Sequence, residues 1–304
     1  MSRLLLLFVD GIGLGDADPA INPFAAATLP TLHALLNGRR VIAENAPYHG
    51  AHASLIPIEA TLGIAGLPQS GTGQTALFTG QNAAAMFGRH FGPWVPTALR
   101  DVLAKQNVLT LAAQAGRSVA FANAYPEEVF TNTGRGRDPL RAGPPIAAIG
   151  AGVLNRHTPE LMRGDAIASE IINEGWRKHL NRTELPVITA AQAGANLARI
   201  TAQHDMTMFA HYSTDHVGHT GEMEACVAAL ERVDEMIGGL LNSDVEDLTI
   251  ALVSDHGNLE DVRVGHTLNP AVGLFIGPAR NQLTRDVHSL TDVAPRVLEL
   301  ANAQ

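Results

Sequence analysis

An aspartate and a histidine stand side by side where a run of apolar residues gives out: Leu248 to Val253 leads into Ser254-Asp255-His256-Gly257-Asn258. Carboxylate oxygen and imidazole nitrogen are ligands for divalent metals, and the carboxyl ends of buried strands are where open α/β sheets keep their sites. By itself the tripeptide also fits an ordinary capped turn. It has company, however. His266 follows in Gly-His-Thr-Leu-Asn-Pro, and Asp215-His216-Val-Gly-His219 stands beyond another apolar run, Met206 to Ala210. Asp215, His219, Asp255, His256 and His266 are therefore read together as ligands gathered at strand ends.

Two further stretches offer chemistry. Asp10 closes the apolar run Leu4 to Val9 and faces Gly11-Ile-Gly-Leu-Gly15; it reads as a ligand or catalytic acid, with a helix cap as the plain alternative. The glycine spacing is not that of a dinucleotide-binding loop, and Asp16, Pro19 and Pro23 argue for a loop over an immediate helix. Gly66 to Gly80 is rich in glycine, hydroxyls and amides, and turns helix-compatible at Thr75, but no lysine completes a Walker phosphate loop. A hydroxyl in the first turn of a helix faces backbone N–H groups and a dipole that favour an anion. Thr75 is the candidate nucleophile, with Ser70, Thr72 and Thr79 as competitors and an N-cap as the non-catalytic alternative.

These residues must be positioned by alternating strands and helices. Strands are expected at Leu4–Val9, Ser54–Ala60, Arg117–Asn123, Met206–Ala210, Leu248–Val253 and Val272–Ile276. Helices are expected at Leu29–Leu36, Val95–Leu111, Asp165–Leu180, Ala190–His204, Met223–Leu241 and Ser289–Leu300. The uninterrupted apolar strands suit a sheet covered on both faces, and the alternation suits a doubly wound α/β fold. No linker or repeat divides the 304 residues, so a single domain over 1–304 is expected, with a small lid-like excursion at about 125–185. That excursion is irregular and carries Arg135, Arg137 and Arg141, with Arg117 just upstream.

Composition narrows the partners. With 30 acidic against 21 basic residues and no dense Lys/Arg block, a phosphate-backbone footprint is missing, so nucleic acid is not an expected partner. No apolar run approaches the roughly 20 residues that span a bilayer, and Leu4–Val9 reads as a buried strand instead of a secretory signal. The single cysteine, Cys226, excludes an intramolecular disulfide, reads as a core residue and fits a cytoplasmic location.

Asp10-Gly, Leu67-Pro-x-x-x-x-Gly-x-Thr75, Asp215-x-x-x-His219, Ser254-Asp-His-Gly-Asn258 and His266-Thr-x-Asn-Pro270, in that order along the chain, resemble the alkaline phosphatase superfamily. Within it, the cofactor-independent phosphoglycerate mutases and phosphopentomutases look nearest. The resemblance implies an α/β/α sandwich with a mostly parallel central sheet and two divalent metals beside a Ser or Thr nucleophile. It implies Asp215, His219 and His266 as one metal's ligands and Asp10, Asp255 and His256 as the other's. Thr75 falls where the mutases place a serine, and would also touch metal; Gln74 falls where they have asparagine. His216 has no counterpart. Gln74, Arg89 and Asn258 are expected to meet the substrate.

The donor set suits Mn or Zn better than Ca or Mg. The expected activity is phosphohydrolysis, of a monoester or diester of a small phosphorylated metabolite, through a phosphothreonine. A mutase of the phosphoglycerate or phosphopentose type is the alternative, set lower because only Gln81–Val95 follows the nucleophile segment where a cap domain would be inserted. A non-catalytic metal- or phospho-ligand-binding domain is the alternative of another class. No Cys-x-Pro-x-Arg of a formylglycine sulfatase occurs.

Overall fold

In the computed structural model, which describes residues 3–130 and 139–303, Leu4, Leu6 and Phe8 of the first strand enter one apolar core while Leu5, Leu7 and Val9 enter another. Side chains of a strand alternate between faces, so an unbroken apolar run is what a strand buried on both sides requires. Among the described residues seven strands form the sheet: β1 (Arg3–Val9), β2 (Tyr48–His49), β3 (Ala53–Ile58), β4 (Val119–Phe121), β5 (Met206–His211), β6 (Leu248–Val253) and β7 (Ala271–Ile276), in the order β2-β3-β7-β6-β1-β5-β4. β6, β1, β5 and β4 are parallel neighbours. On the other side of β6 the pairing becomes antiparallel through β7, β3 and β2. The sheet is thus mixed, with its parallel block holding the strands that end in candidate ligands.

Helices cover both faces. The first core receives Leu77 and Phe78 of the Ser70–Thr79 helix and Leu290, Val293 and Val297 of the Leu290–Asn302 helix. Phe78 meets Phe8 edge-on at 5.3 Å between ring centroids, a preferred aromatic geometry. The second core receives Leu197 and Ile200 of the Ala190–Ala202 helix and Leu230, Val233 and Ile237 of the Met223–Leu241 helix. These two helices touch backbone to backbone: a Cβ at Gly194 would stand 2.0 Å from Met236 O, and one at Gly239 2.1 Å from Ala191 O. Cys226 is fully buried in this layer. Among the described residues no helix is long and apolar enough to cross a membrane.

Three expectations need correction. The helix expected over Asp165–Leu180 is confined to Glu174–His179. Ile167 instead bridges Asn123 in extended form, and Ile171 turns with φ +77°, so apolar spacing there reflects burial beneath a loop. The stretch expected as one helix from Val95 is two, Thr97–Gln106 and Val108–Gln114, because Asn107 leaves helical geometry and its side chain accepts the Thr110 N–H. Gly143–Gly150 is helical where proline suggested irregular chain; Pro144 and Pro145 occupy its first turn, where a missing N–H costs nothing.

Candidate metal centre

The C-terminal ends of three adjacent strands converge. Asp10 lies just past β1, Asp255 and His256 past β6, and Asp215 in the Ser213–Gly218 helix that follows β5. Asp10, Asp255 and His256 each offer a donor atom, as do Asp215, His256 and His266, and the atoms of each trio lie within 4.8 Å of one another. His256 Nε2 stands between the trios, 3.5 Å from Asp10 Oδ1 and 3.6 Å from Asp255 Oδ2. His219 joins at the rim: its Nε2 is 3.4 Å from Asp215 Oδ2 and its ring 5.0 Å from that of His266. The six side chains expected as ligands are thus gathered from residues 10 to 266. Gly11 permits the closest approach; it has φ +66°, and a Cβ there would stand 2.5 Å from Asp215 Oδ1.

Burial and charge fit this cluster to cations. Asp10 Oδ1 and Asp255 Oδ2 are buried without hydrogen-bond partners. Burial first, then the charges of Asp255 and Asp215, push the Asp10 carboxyl well above its usual pKa, and burial likewise raises Asp255. Two carboxylates cannot both stay ionised side by side in a dry site without an opposing charge. Burial opposes ionisation of Asp215 too, yet hydrogen bonds from His219 and Asn258 and the nearness of His256 hold it well below the carboxylate range. Burial and the neighbouring His256 lower His266 to about 4, so its imidazole is neutral. Its Nδ1–H donates to Pro68 O at 2.7 Å, which turns the Nε2 lone pair toward Asp215. A neutral imidazole with one nitrogen anchored on a carbonyl is the form in which histidine binds metal.

The hydroxyl facing this cluster is Ser70. The helix expected to begin at Thr75 begins at Ser70, so Thr75 lies in its second turn, fully buried, with its hydroxyl donating to Gly71 O at 2.7 Å. Thr75 is therefore corrected as nucleophile and as metal ligand: its oxygen is spent on its own helix. Ser70 Oγ lies 3.0 Å from His256 Nε2. The glycines that made this turn look like a flexible phosphate cradle serve packing. A Cβ at Gly71 would stand 2.1 Å from Trp94 O, and one at Gly73 2.9 Å from Asp255 O.

Of the expected substrate residues, Gln74 lines the cleft and Asn258 and Arg89 do not. Gln74 lines the cleft but is committed at both ends, donating to Asp10 Oδ2 at 3.2 Å and accepting the Gly143 N–H at 2.9 Å. The Asn258 amide donates to Asp215 Oδ1 at 2.6 Å and to Asp215 O at 3.0 Å, so it holds a ligand in place. Arg89 is exposed, its guanidinium near the rings of Phe87 and Phe91, and does not line the cleft. His216 is exposed at the cleft wall, outside both trios. Arg135 and Arg137 lie outside the described residues, and Arg117 donates to Asn302 O.

Glu260 escaped the sequence reading. Buried, it accepts the Gly13 N–H at 2.9 Å, the Asn258 N–H at 2.8 Å and the Asn269 amide at 3.1 Å, with the Thr267 hydroxyl as a fourth donor. It ties together the three loops carrying Asp10, Asp255-His256 and His266. The legible trace was glycine: a Cβ at Gly13 or Gly15 would stand 2.5 or 2.8 Å from the Glu260 side chain.

The centre opens into a cleft of about 1060 Å³ lined from one side by the 125–185 excursion, through Tyr125, Trp176 and Leu180 among others. Residues 182–304, which hold Asp215, His219, Asp255, His256 and His266, match the family model of the Metalloenzyme superfamily. A 2,3-bisphosphoglycerate-independent phosphoglycerate mutase of Clostridium botulinum is 35% identical over 109 residues, covering 33% of this chain and 21% of the mutase. The chain thus aligns with about a fifth of that relative's length. Among solved structures, a protein from Pyrococcus horikoshii superposes with a TM-score of 0.58 at 15% identity, covering 100% of this chain and 97% of its own. A cold-active alkaline phosphatase from Shewanella sp. superposes with a TM-score of 0.53 at 12% identity, covering 99% and 100%. Residues 182–304 thus match the Metalloenzyme superfamily, and the chain as a whole has a fold similar to that of an alkaline phosphatase.

Proposed function

We propose that the protein is a two-metal phosphohydrolase, cleaving a small phosphomonoester or phosphodiester through a covalent phosphoserine at Ser70. The observation that carries this is the Ser70 hydroxyl, held 3.0 Å from His256 Nε2 at the start of a buried helix and aimed at the carboxylate–imidazole cluster. Asp10, Asp255 and His256 would hold one cation and Asp215, His219 and His266 the other, with Mn or Zn favoured by the mixed donors. When bound, a pair of divalent ions neutralises phosphoryl oxygens and favours the ionised serine hydroxyl.

The chain's own groups supply the rest. The N-terminal end of the Ser70–Thr79 helix favours an anion in front of it. Gln74 and Asn258 fix the Asp10 and Asp215 carboxylates, leaving their remaining oxygens to face the site. Ser70 Oγ attacks phosphorus, its proton leaving to cleft solvent, as the bond to the departing alkoxide breaks; the alkoxide is protonated by water. Water then attacks the phosphoserine, releasing phosphate and restoring the hydroxyl.

Hydrolysis is favoured over transfer because the His219 side chain is 51% exposed, so solvent reaches the rim of the centre, and a phosphoenzyme within reach of water is discharged by it. The mutase reading rests on the names of the C-terminal sequence relatives. Metal-loaded enzyme given a phosphomonoester and an excess acceptor alcohol decides between them. Stoichiometric inorganic phosphate supports hydrolysis, transfer without phosphate release supports a mutase, and metal uptake with neither supports a binding domain.

A further inference from the structure

We infer that the ester handled at this centre is that of an uncharged, apolar alcohol, aliphatic or aromatic, whose carbon skeleton lies against the wall leading away from Ser70. This rests on the phosphohydrolase reading and names its substrate class. Trp94, Tyr125 and Trp176 line the cleft, and Leu67, Leu180 and Val264 stand at its mouth 46%, 44% and 61% exposed. Large aliphatic side chains left in water round one opening mark a groove that something apolar covers. Their placement is tied to the chemistry. Leu67 precedes Pro68, which anchors His266, and shares the loop that ends in Ser70; Val264 lies in the loop that carries His266.

The distance from the reacting phosphorus to the mouth is therefore set by the ligand loops themselves. The polar lining groups gather at the metal end, where Gln69 Nε2 is 3.1 Å from His266 Nδ1 and Gln74 is bonded to Asp10. Among the described residues no lysine or arginine lines the cleft to pair with a carboxylate on the substrate. The volume of about 1060 Å³ is at the upper end for a small-molecule site, so a phosphoryl group occupies little of it.

The test is a homologous series, methyl, butyl and hexyl phosphate, with Mn- or Zn-loaded enzyme. Their leaving alcohols have nearly equal basicity, so differences in kcat/KM report burial of the chain. Burial of about 0.8 kcal/mol per methylene is a factor of about 4, so kcat/KM should climb about fourfold per added carbon over the first few. Binding is read separately with the matching alkylphosphonates. The chain has two tryptophans, Trp94 and Trp176, and both line the cleft, so intrinsic fluorescence reports occupancy without turnover.

Leu180→Ser and Val264→Ser, at exposed positions, should flatten both slopes. A slope is a ratio within one protein, so a variant that is merely less active keeps it. Equal kcat/KM and equal Kd across the series overturn the inference while leaving the hydrolase standing, as do variants with the parent's slope. Graded Kd with no phosphate released from any ester upholds the apolar site and overturns the hydrolase.

Discussion

The loops at the ends of β1, β5 and β6 and the excursion over residues 125–185 meet across one cleft, yet they are held by different forces. In the strand-end loops buried polar atoms hold one another: Glu260 gathers four donors, Asn258 fixes Asp215, Gln74 fixes Asp10, and Ser254 Oγ accepts the Ile12 N–H at 3.0 Å. In the excursion, short helices such as Thr158–Arg163 and Glu174–His179 surround a small apolar cluster of Ala124, Leu161, Ala166, Ala168, Trp176 and Leu185. Its ion pairs, Arg163–Glu160, Arg163–Asp165, Lys178–Glu174 and Arg199–Asp165, lie at the surface. Buried networks fix geometry at high cost of error, whereas surface pairs contribute little. The candidate ligands are thus placed on loops held by buried polar bonds, whereas the described part of the excursion is held by a small apolar cluster and exposed ion pairs.

The comparison breaks most visibly at Ser70. Ser70→Ala should lower turnover by about 10³-fold or more, the usual effect of losing a nucleophile, while metal content measured by atomic emission stays at that of the parent. Thr75→Val should retain at least half the activity, since the Thr75 hydroxyl is bonded inside its helix. An active Ser70→Ala enzyme, or an inactive but folded Thr75→Val one, would reverse the assignment.

Glu260 gives the next largest effect. Glu260→Gln keeps the side chain's size but turns one acceptor into a donor that faces donors. Loss of a group that orients ligands from behind costs about 10–100-fold in metal affinity, read by competition with a chelating dye. Activity should return at high metal concentration, which a damaged catalytic group would not allow. Glu260→Asp, a methylene shorter, should not restore the affinity. Unchanged affinity in Glu260→Gln would mean the loops hold their shape without it.

Asp255→Asn separates stability from function in the same region. It removes one of two buried carboxylates that repel each other, so the metal-free protein should gain of the order of 1 kcal/mol, within the range common when a functional site is relieved. Metal uptake should fall at the same time. Thermal melts in chelator and in added metal distinguish the two states. Destabilisation of the metal-free form would contradict the charge argument.

What could be read beforehand follows the same division. Strand ends were legible because an apolar run that stops at Asp10, or within a few residues of Asp215 and Asp255, fixes both the element and the place of its polar terminus. The start of the helix lies five residues ahead of Thr75 because Gly71 and Gly73 lower helix propensity, while their reason for being there, contact with the Trp94 and Asp255 backbones, is tertiary. Glu260 was invisible because a lone glutamate reads as solvated until four donors are seen around it. Gln74 and Asn258 point to substrate only by position in a motif, and Arg89 only by its place in a loop; the folded chain shows the two amides committed to carboxylates and the guanidinium beside the Phe87 and Phe91 rings. In the excursion, helices of one or two turns have almost no periodicity to read, and Ile167 and Ile171 mimicked a helical stripe from extended and left-handed backbone.

The smallest effect should come from the excursion's surface. Asp165 accepts from Arg163 Nε at 3.2 Å and from Arg199 Nη1 at 2.5 Å, and its side chain is 36% exposed. The hydrogen bond from Arg199, reinforced by Arg163 against a small burial penalty, holds its carboxyl below the usual range. A carboxylate whose pKa is lowered by folding stabilises the protein above its unfolded value, about 3.9, and loses that contribution as pH falls through the folded value. At pH 7 the pairing is fully present, but water and salt screen it. Asp165→Asn should therefore cost no more than about 0.5 kcal/mol at low salt, a Tm shift of about 1–2 °C for a chain of this size. The difference from the parent should shrink toward zero in about 1 M salt, where screening is nearly complete. A loss above about 2 kcal/mol, well outside the range of exposed pairs, or one that persists in salt, would mean that the excursion's surface pairs hold it as tightly as the buried bonds hold the metal loops.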